Sequence, residues 1–216
     1  MSKIVIIGAS GFVGAALLQE ALSRGHQVKA LVRNPEKIKI QHEHLEIIQG
    51  DAQDAQKVAE VAQGSDAVIS AYNPGWGNKA IYDDTLKGYK AILEGVKKAG
   101  VKRLLIVGGA GSLFVKPGLT VIESGAIPDS IMPGVKGLAE VYYNMLLPEK
   151  SIDWVFFSPA GNIEPGNRTG KFRLGKDDLI VNEKGESKIS VEDYAVAYLD
   201  EFETPKHHQT RFTIGY

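Results

Sequence analysis

Short runs of apolar, mostly β-branched residues alternate along this chain with longer stretches of helical periodicity. Ile4-Val5-Ile6-Ile7 is apolar at every position, the pattern of a parallel strand buried on both faces. The spacing predicts a helix from Gly11 to Ser23, with Gly25 near its C-terminal stop, and a second strand at Val28–Val32. A third strand follows at Leu45–Gln49, then a polar helix over about Asp54–Gln63 and a fourth strand at Ala67–Ser70. A long helix over Ile81–Ala99, closed by Gly100, leads to a fifth strand at Arg103–Val107. A helix at Val135–Leu147, ended by Pro148, precedes a sixth strand at Trp154–Phe157.

This alternation predicts an α/β fold: a doubly wound, Rossmann-type parallel sheet with helices on both faces. After Ser158 the pattern changes into a short C-terminal, substrate-side extension. Leu179-Ile180-Val181 and Lys188-Ile189-Ser190 read as strands flanking a turn, followed by a helix from Val191 to about Phe202 and a last strand at Arg211–Ile214. Nothing in the middle reads as a linker, so residues 1–216 are expected to form one NAD(P)-binding domain.

The strongest motif is Gly8-Ala9-Ser10-Gly11-Phe12-Val13-Gly14, directly after the first strand and opening the first helix. Gly8 permits the tight turn, Gly11 lets the backbone approach a pyrophosphate, and Gly14 lets the helix pack close to the strand. The helix start, with Ser10, Phe12 and Val13, offers free N–H groups and a positive dipole end to phosphate oxygens. The second strand runs into Arg33, and no acid stands where an NAD site places its ribose-binding carboxylate. A guanidinium there suits the 2′-phosphate of NADP, so NADP(H) is favoured over NAD(H). At the end of the fourth strand the backbone of Ala71 and Tyr72 is expected to border the cofactor, with Tyr72 and Trp76 either offering flat apolar surface or, as loop aromatics, packing on the next helix.

With these residues in place, the chain resembles the atypical short-chain dehydrogenase/reductases. Within that group it is most similar to the NmrA-like and biliverdin/flavin-reductase-like branch, grouped generally with NAD-dependent epimerases/dehydratases. The resemblance covers nearly the whole chain, closely in the cofactor half and loosely in the substrate half. It implies that Asp51, followed by Ala52, bonds the adenine amino group, although an Asp there is equally a turn or helix cap. It implies that Lys136 binds the nicotinamide ribose, that Ser112 polarises the substrate, although a serine there is equally a loop hydroxyl, and that Pro159 and Ala160 present backbone groups to the carboxamide. Dehydrogenases of this group carry Tyr-x-x-x-Lys on the helix after strand five. Here the residue four before Lys136 is Met132, so the usual proton shuttle is missing. Lys136 and Glu140 also have the spacing of a surface ion pair, and Tyr142 and Tyr143 read as packing residues.

Composition narrows the choice. A net charge of -1 without a basic stripe argues against a nucleic-acid partner, and Lys97, Lys98, Lys102 and Arg103 suit a helix C-terminus instead. There is no cysteine, which excludes disulfides and thiol chemistry. His42 and His44 alternate on a possible strand but lack a third ligand, so no metal site is expected. The first apolar run is too short to span a membrane, and the expected location is the cytoplasm.

The expected function is an NADP(H)-dependent oxidoreductase. Its partner is a small-molecule hydride acceptor that is planar, such as a flavin, a quinone or a linear tetrapyrrole, which takes a hydride without a strong positioned acid. The alternatives are a non-catalytic NADP(H) sensor of NmrA type and, least favoured, a sugar-nucleotide epimerase or dehydratase.

Overall fold

The computed structural model describes residues 1–216. Elements β1 (Lys3–Ile7), α1 (Phe12–Ser23), β2 (Gln27–Val32), β3 (Leu45–Gln49), α2 (Ala55–Ala62), β4 (Ala67–Ser70), α3 (Ile81–Lys98) and β5 (Arg103–Val107) alternate as the apolar pattern predicts. They are followed by β6 (Phe114–Lys116), β7 (Leu119–Thr120), α4 (Met132–Glu140), β8 (Asp153–Ser158), β9 (Asn162–Glu164), β10 (Arg173–Gly175), β11 (Lys188–Ser190), α5 (Val191–Glu203) and β12 (Thr210–Gly215). Local chemistry sets several boundaries. The Asp54 carboxylate accepts from the Gln56 and Lys57 amides at the start of α2, and the Ser190 hydroxyl accepts from the Asp193 amide at the start of α5.

Eight strands form one sheet in the order β10-β12-β8-β5-β4-β1-β2-β3. Every neighbouring pair is parallel except the edge strand β10, which runs antiparallel to β12. The order reverses beside β1: the chain goes outward through β2 and β3, then returns to the other side through β4. At such a switch point the connections leave in opposite directions and open a crevice at the carboxyl ends of the strands.

Alternate residues of the strands feed two cores. Ile4 and Ile6 pack under α1 and α5, while Val5 and Ile7 pack under α2, α3 and the helix after β5. Phe157 anchors the first layer, stacked on Phe212 and Tyr194 with ring centroids 3.9 and 4.6 Å apart. Its carbonyl accepts the buried Tyr194 hydroxyl at 2.6 Å.

The structure departs from the sequence reading in four places. The helix after β5 starts at Met132, not Val135, because Pro133 sits in its first turn with φ already fixed for a helix. From Val141 to Leu146 that helix continues as a π-helix. Residues Leu179–Val181 form no strand; Ile180 packs on Gly175 and Gly215, and the edge strand is β10. His42 and His44 precede β3 in a turn, where the His42 ring accepts from the His44 amide. A hairpin of β6 and β7 around Pro117-Gly118 adds to the predicted elements, with Gly118 at φ +76°.

Three of the four cations near the end of α3 are held in ion pairs. Lys97 meets Glu149, Lys98 meets Glu94 at 2.8 Å, and Arg103 meets Asp153 at 2.8 Å and Glu201 at 2.7 Å. Burial disfavours the charged form of Glu149, but the Lys97 ammonium and the Ser151 hydroxyl and amide outweigh it and hold its carboxyl at about 2. A carboxyl lowered on folding stabilises the fold above its ordinary value of 4.5, and that stabilisation disappears as pH falls through about 2. Glu149→Gln should therefore cost about 1 kcal/mol at neutral pH. Thermal unfolding followed from neutral to acid pH should show the gap between parent and variant closing towards pH 2; a constant gap would assign the loss to packing instead.

Candidate functional site

The crevice at the switch point is a cleft of about 210 Å³. Its floor is the turn from Ile7 through Gly8 to Gly11; one wall is the end of β2 with Arg33, Asn34 and Lys37, and the other is Ala71, Tyr72 and Asn73 after β4. Gly50 and Ala52, after β3, close the outer end. A larger hollow of about 380 Å³ lies at the amino ends of β1, β2 and β3. Its one glycine, Gly64, belongs to the turn that closes α2, so the helix end nearest this hollow is a C-terminus, whose dipole disfavours a phosphate.

The glycines are fixed by space. Gly8 has φ +83°, and a Cβ there would lie 2.6 Å from the Ala71 carbonyl oxygen. A Cβ on Gly14 would lie 2.1 Å from the Gly8 carbonyl oxygen. Gly11 differs: a Cβ would meet only that same oxygen at 3.4 Å and otherwise open space. Gly11 caps α1 without a side-chain bond, and the amides of Phe12, Val13 and Gly14 donate to no acceptor in the protein. Three free donors at a positive helix end, over an open glycine, fit a dinucleotide pyrophosphate. At the other end of the site, Pro159 and Ala160 are buried after β8, and the Ala160 amide and Pro159 carbonyl are likewise unpaired, which fits a carboxamide.

Charge on the cleft wall is one-sided. Arg33 and Lys37 are its only ionisable side chains, apart from the phenol of Tyr72, and there is no carboxylate. The Arg33 guanidinium reaches across to the Pro74 carbonyl at 3.4 Å. Lys37 was not marked out by its sequence; it follows a single 3-10 turn begun by Asn34-Pro35, and that turn returns it to the cleft.

Asp51 does not line the cleft. Its Oδ1 accepts from the Gln53 amide at 2.9 Å, the local turn that its position also permits. Tyr72 borders the cleft, and its ring is buried against Gly88 of α3, where a Cβ would lie 2.1 Å from its Cε1. Its hydroxyl donates to the Asp84 carbonyl and accepts from Gln53, and burial raises its pKa, so it offers neither a flat wall nor an acid.

Ser112 also needs correcting. It is 2% exposed, and its Oγ accepts from Arg211 at 2.9 Å, in a buried cluster where that guanidinium also holds the Ser112 carbonyl and Asp177 and lies 4.6 Å over the Tyr142 ring. A hydroxyl held this deep anchors the segment after β5. Burial of Tyr142 raises its pKa, and the exposed Tyr143 phenol leans on the Ser112 carbonyl at 3.5 Å. Lys136 is exposed on α4 and makes no ion pair with Glu140, whose carboxylate accepts from Asn144. Its ammonium is free for a ligand. Met132 opens α4 with no ionisable group in the place of the usual Tyr.

Known proteins share this architecture. The family described as NAD(P)H-binding matches residues 8–202. YwnB of Bacillus subtilis, an uncharacterized protein, is 40% identical over 215 residues, covering 98% of this chain and 97% of its own length. A Bacteroides thetaiotaomicron crystal structure provisionally named an epimerase superposes with a TM-score of 0.95 at 62% identity, covering 100% of this chain and 97% of that one. A Streptococcus pneumoniae crystal structure provisionally named an NADH-flavin reductase gives a TM-score of 0.84 at 32% identity, covering 100% of this chain and 99% of that one. No helix is long and apolar enough to cross a membrane.

The two inner glycines separate folding from binding. Gly11→Val should leave the melting temperature near that of the parent, since its side chain enters open space, yet weaken NADPH binding at least tenfold by blocking the phosphates. Gly14→Val should destabilise the fold itself, because backbone must move. Calorimetric titration with NADPH beside thermal melts checks both; parent-like affinity in Gly11→Val would place the phosphates elsewhere.

Proposed function

The chain belongs to the NAD(P)H-binding family, and we propose that it is an NADP(H)-dependent reductase that passes a hydride to a planar acceptor such as a flavin or a quinone. The carrying observation is the pairing of a cleft wall bearing Arg33 and Lys37 and no carboxylate with Met132 in the place of the catalytic Tyr. Two cations without an acid suit a 2′-phosphate and repel nothing in it, whereas a free ribose would find no carboxylate partner.

Each residue then has a part in binding or placement. The Phe12, Val13 and Gly14 amides hold the pyrophosphate, with Gly8, Ser10 and Gly11 leaving it room. Arg33 and Lys37 hold the 2′-phosphate. Ala52 and the backbone of Ala71 and Tyr72 flank the adenosine half. Lys136 takes the nicotinamide ribose, and the Pro159 carbonyl and Ala160 amide take the carboxamide.

When bound, the nicotinamide supplies a hydride. The acceptor takes that hydride and one proton, so NADPH, a proton and an oxidised flavin give NADP+ and the reduced flavin. Met132 cannot give the proton, and the Tyr72 and Ser112 hydroxyls are engaged within the protein, so water provides it. This suits an acceptor that needs no positioned acid. Sugar epimerisation, which needs a proton shuttle beside the ring, has no side chain here to perform it.

NADPH oxidation by the full chain against riboflavin, FMN and a panel of quinones tests the activity. Turnover with at least one is expected; tight NADPH binding with no turnover would favour the sensor reading. In parallel, Arg33→Asp should weaken NADPH binding by about tenfold to a hundredfold, the loss of a charge-assisted bond plus repulsion, with NADH affinity little changed. Equal NADPH affinity in variant and parent would sink the 2′-phosphate assignment.

A further inference from the structure

We infer that Trp76 is the platform on which the planar acceptor stacks, and hence a specificity-determining residue of the reaction proposed above, on which this inference rests.

Trp76 is 56% exposed, an unusual state for a large aromatic side chain, whose burial would normally stabilise a fold. Its loop does not leave it exposed through slackness. Gly75, at φ +115°, donates its amide to the Asn73 carboxamide at 2.7 Å. The Asn78 amide donates to the Gly75 carbonyl at 3.0 Å, and the Asn78 side chain spans from Asp84 on α3 to the Ala80 amide. The indole is thus held out by a braced turn, and its N–H has no partner in the protein.

The position of the ring is informative. Asn73 lines the cofactor cleft, and the Pro74 carbonyl takes the Arg33 guanidinium, so the residues just before Trp76 form part of the cleft rim. On its other side the indole lies against Gly134, in the first turn of α4. A Cβ at Gly134 would be 2.8 Å from Trp76 Cζ3 and 2.7 Å from Ile81 Cδ1, so the missing side chain there leaves the room in which the ring is seated. Gly134 is two residues from Met132. The indole therefore links the cofactor rim to the helix start at which dehydrogenases place their acid. It offers a flat apolar face and one free N–H donor, which suits a conjugated ring system edged with carbonyl oxygens.

The chain has two tryptophans, and Trp154 is fully buried in the core, so emission from the exposed indole can be followed separately. The experiment titrates the full-length protein with FMN, without NADPH, and records tryptophan emission for the parent, Trp76→Phe and Trp76→Ala. Steady-state NADPH oxidation with FMN is measured on the same three. FMN should quench the red, exposed component in the parent, and that component should be missing from both variants. Trp76→Ala should raise KM for FMN about tenfold, as loss of one stacking partner does, with KM for NADPH and the melting temperature unchanged. Trp76→Phe should recover most of the loss, which a merely structural role would not produce. No quenching of Trp76, or turnover with the same FMN KM in Trp76→Ala, overturns the platform while leaving the reductase reading intact. Quenching in a parent that oxidises NADPH with no acceptor overturns the reductase reading and keeps the ring as a ligand site.

Discussion

The end of β1, the start of α1 and the end of β4 meet with no space between them. A side-chain carbon at Gly14 would sit 2.1 Å from the Gly8 carbonyl oxygen, far inside van der Waals contact, and one at Gly8 would press on the Ala71 carbonyl. This close approach fixes where α1 points. Because α1 is held so near the strand end, its first amides are aimed over the carboxyl edge of the sheet and find no protein acceptor. The same contact keeps β1 and β4 paired up to their ends, where the chain directions diverge and the cleft opens. Removing the tightness would cost both the packing of one helix and the phosphate site.

The cleft is built almost wholly from backbone and small side chains, and its charge comes from one short stretch after β2. That division suits a reaction in which the cofactor carries the chemistry and the protein supplies placement. The polar side chains nearest the cleft are spent on structure, among them Ser112, which the family resemblance implied for polarising the substrate. Ser112 anchors a segment to Arg211, Tyr72 locks the cleft rim to α3, and Met132 starts a helix. Under the proposed function these assignments leave an acceptor side without a positioned acid, beside which the Trp76 indole is exposed.

The C-terminal third serves the same plan. The segment from β9 to β11 is tied down by Asp193, which takes the amides of Thr169 and Gly170 and the hydroxyls of Thr169 and Tyr216, and by the Arg168–Glu20 pair. Burial opposes ionisation of Asp193, yet these donors hold its carboxyl below the ordinary range. The segment is thus fastened beside Pro159 and Ala160 without a core of its own.

Much of this was written in the sequence. Buried parallel strands need unbroken apolar runs, so β1 to β5, β8, α1 to α3 and α5 were legible within a residue or two. The spacing of Gly8, Gly11 and Gly14 was legible too, because only glycine meets its steric demands. Arg33 was found by what was missing beside it, a carboxylate. Tertiary structure decided the rest, since it depends on contacts between residues far apart in the chain. Neither Lys37 on the cleft wall nor Gly134 beneath Trp76 has a local signature. The inward turn of the Tyr72 ring depends on Gly88 in the next helix, and the burial of Ser112 depends on Arg211 near the C-terminus. The edge strand at Arg173–Gly175 is chosen by pairing with β12, not by its own composition. Periodicity and steric exclusion act locally and can be read along the chain; the direction in which a side chain spends its hydrogen bonds is settled only when distant partners arrive.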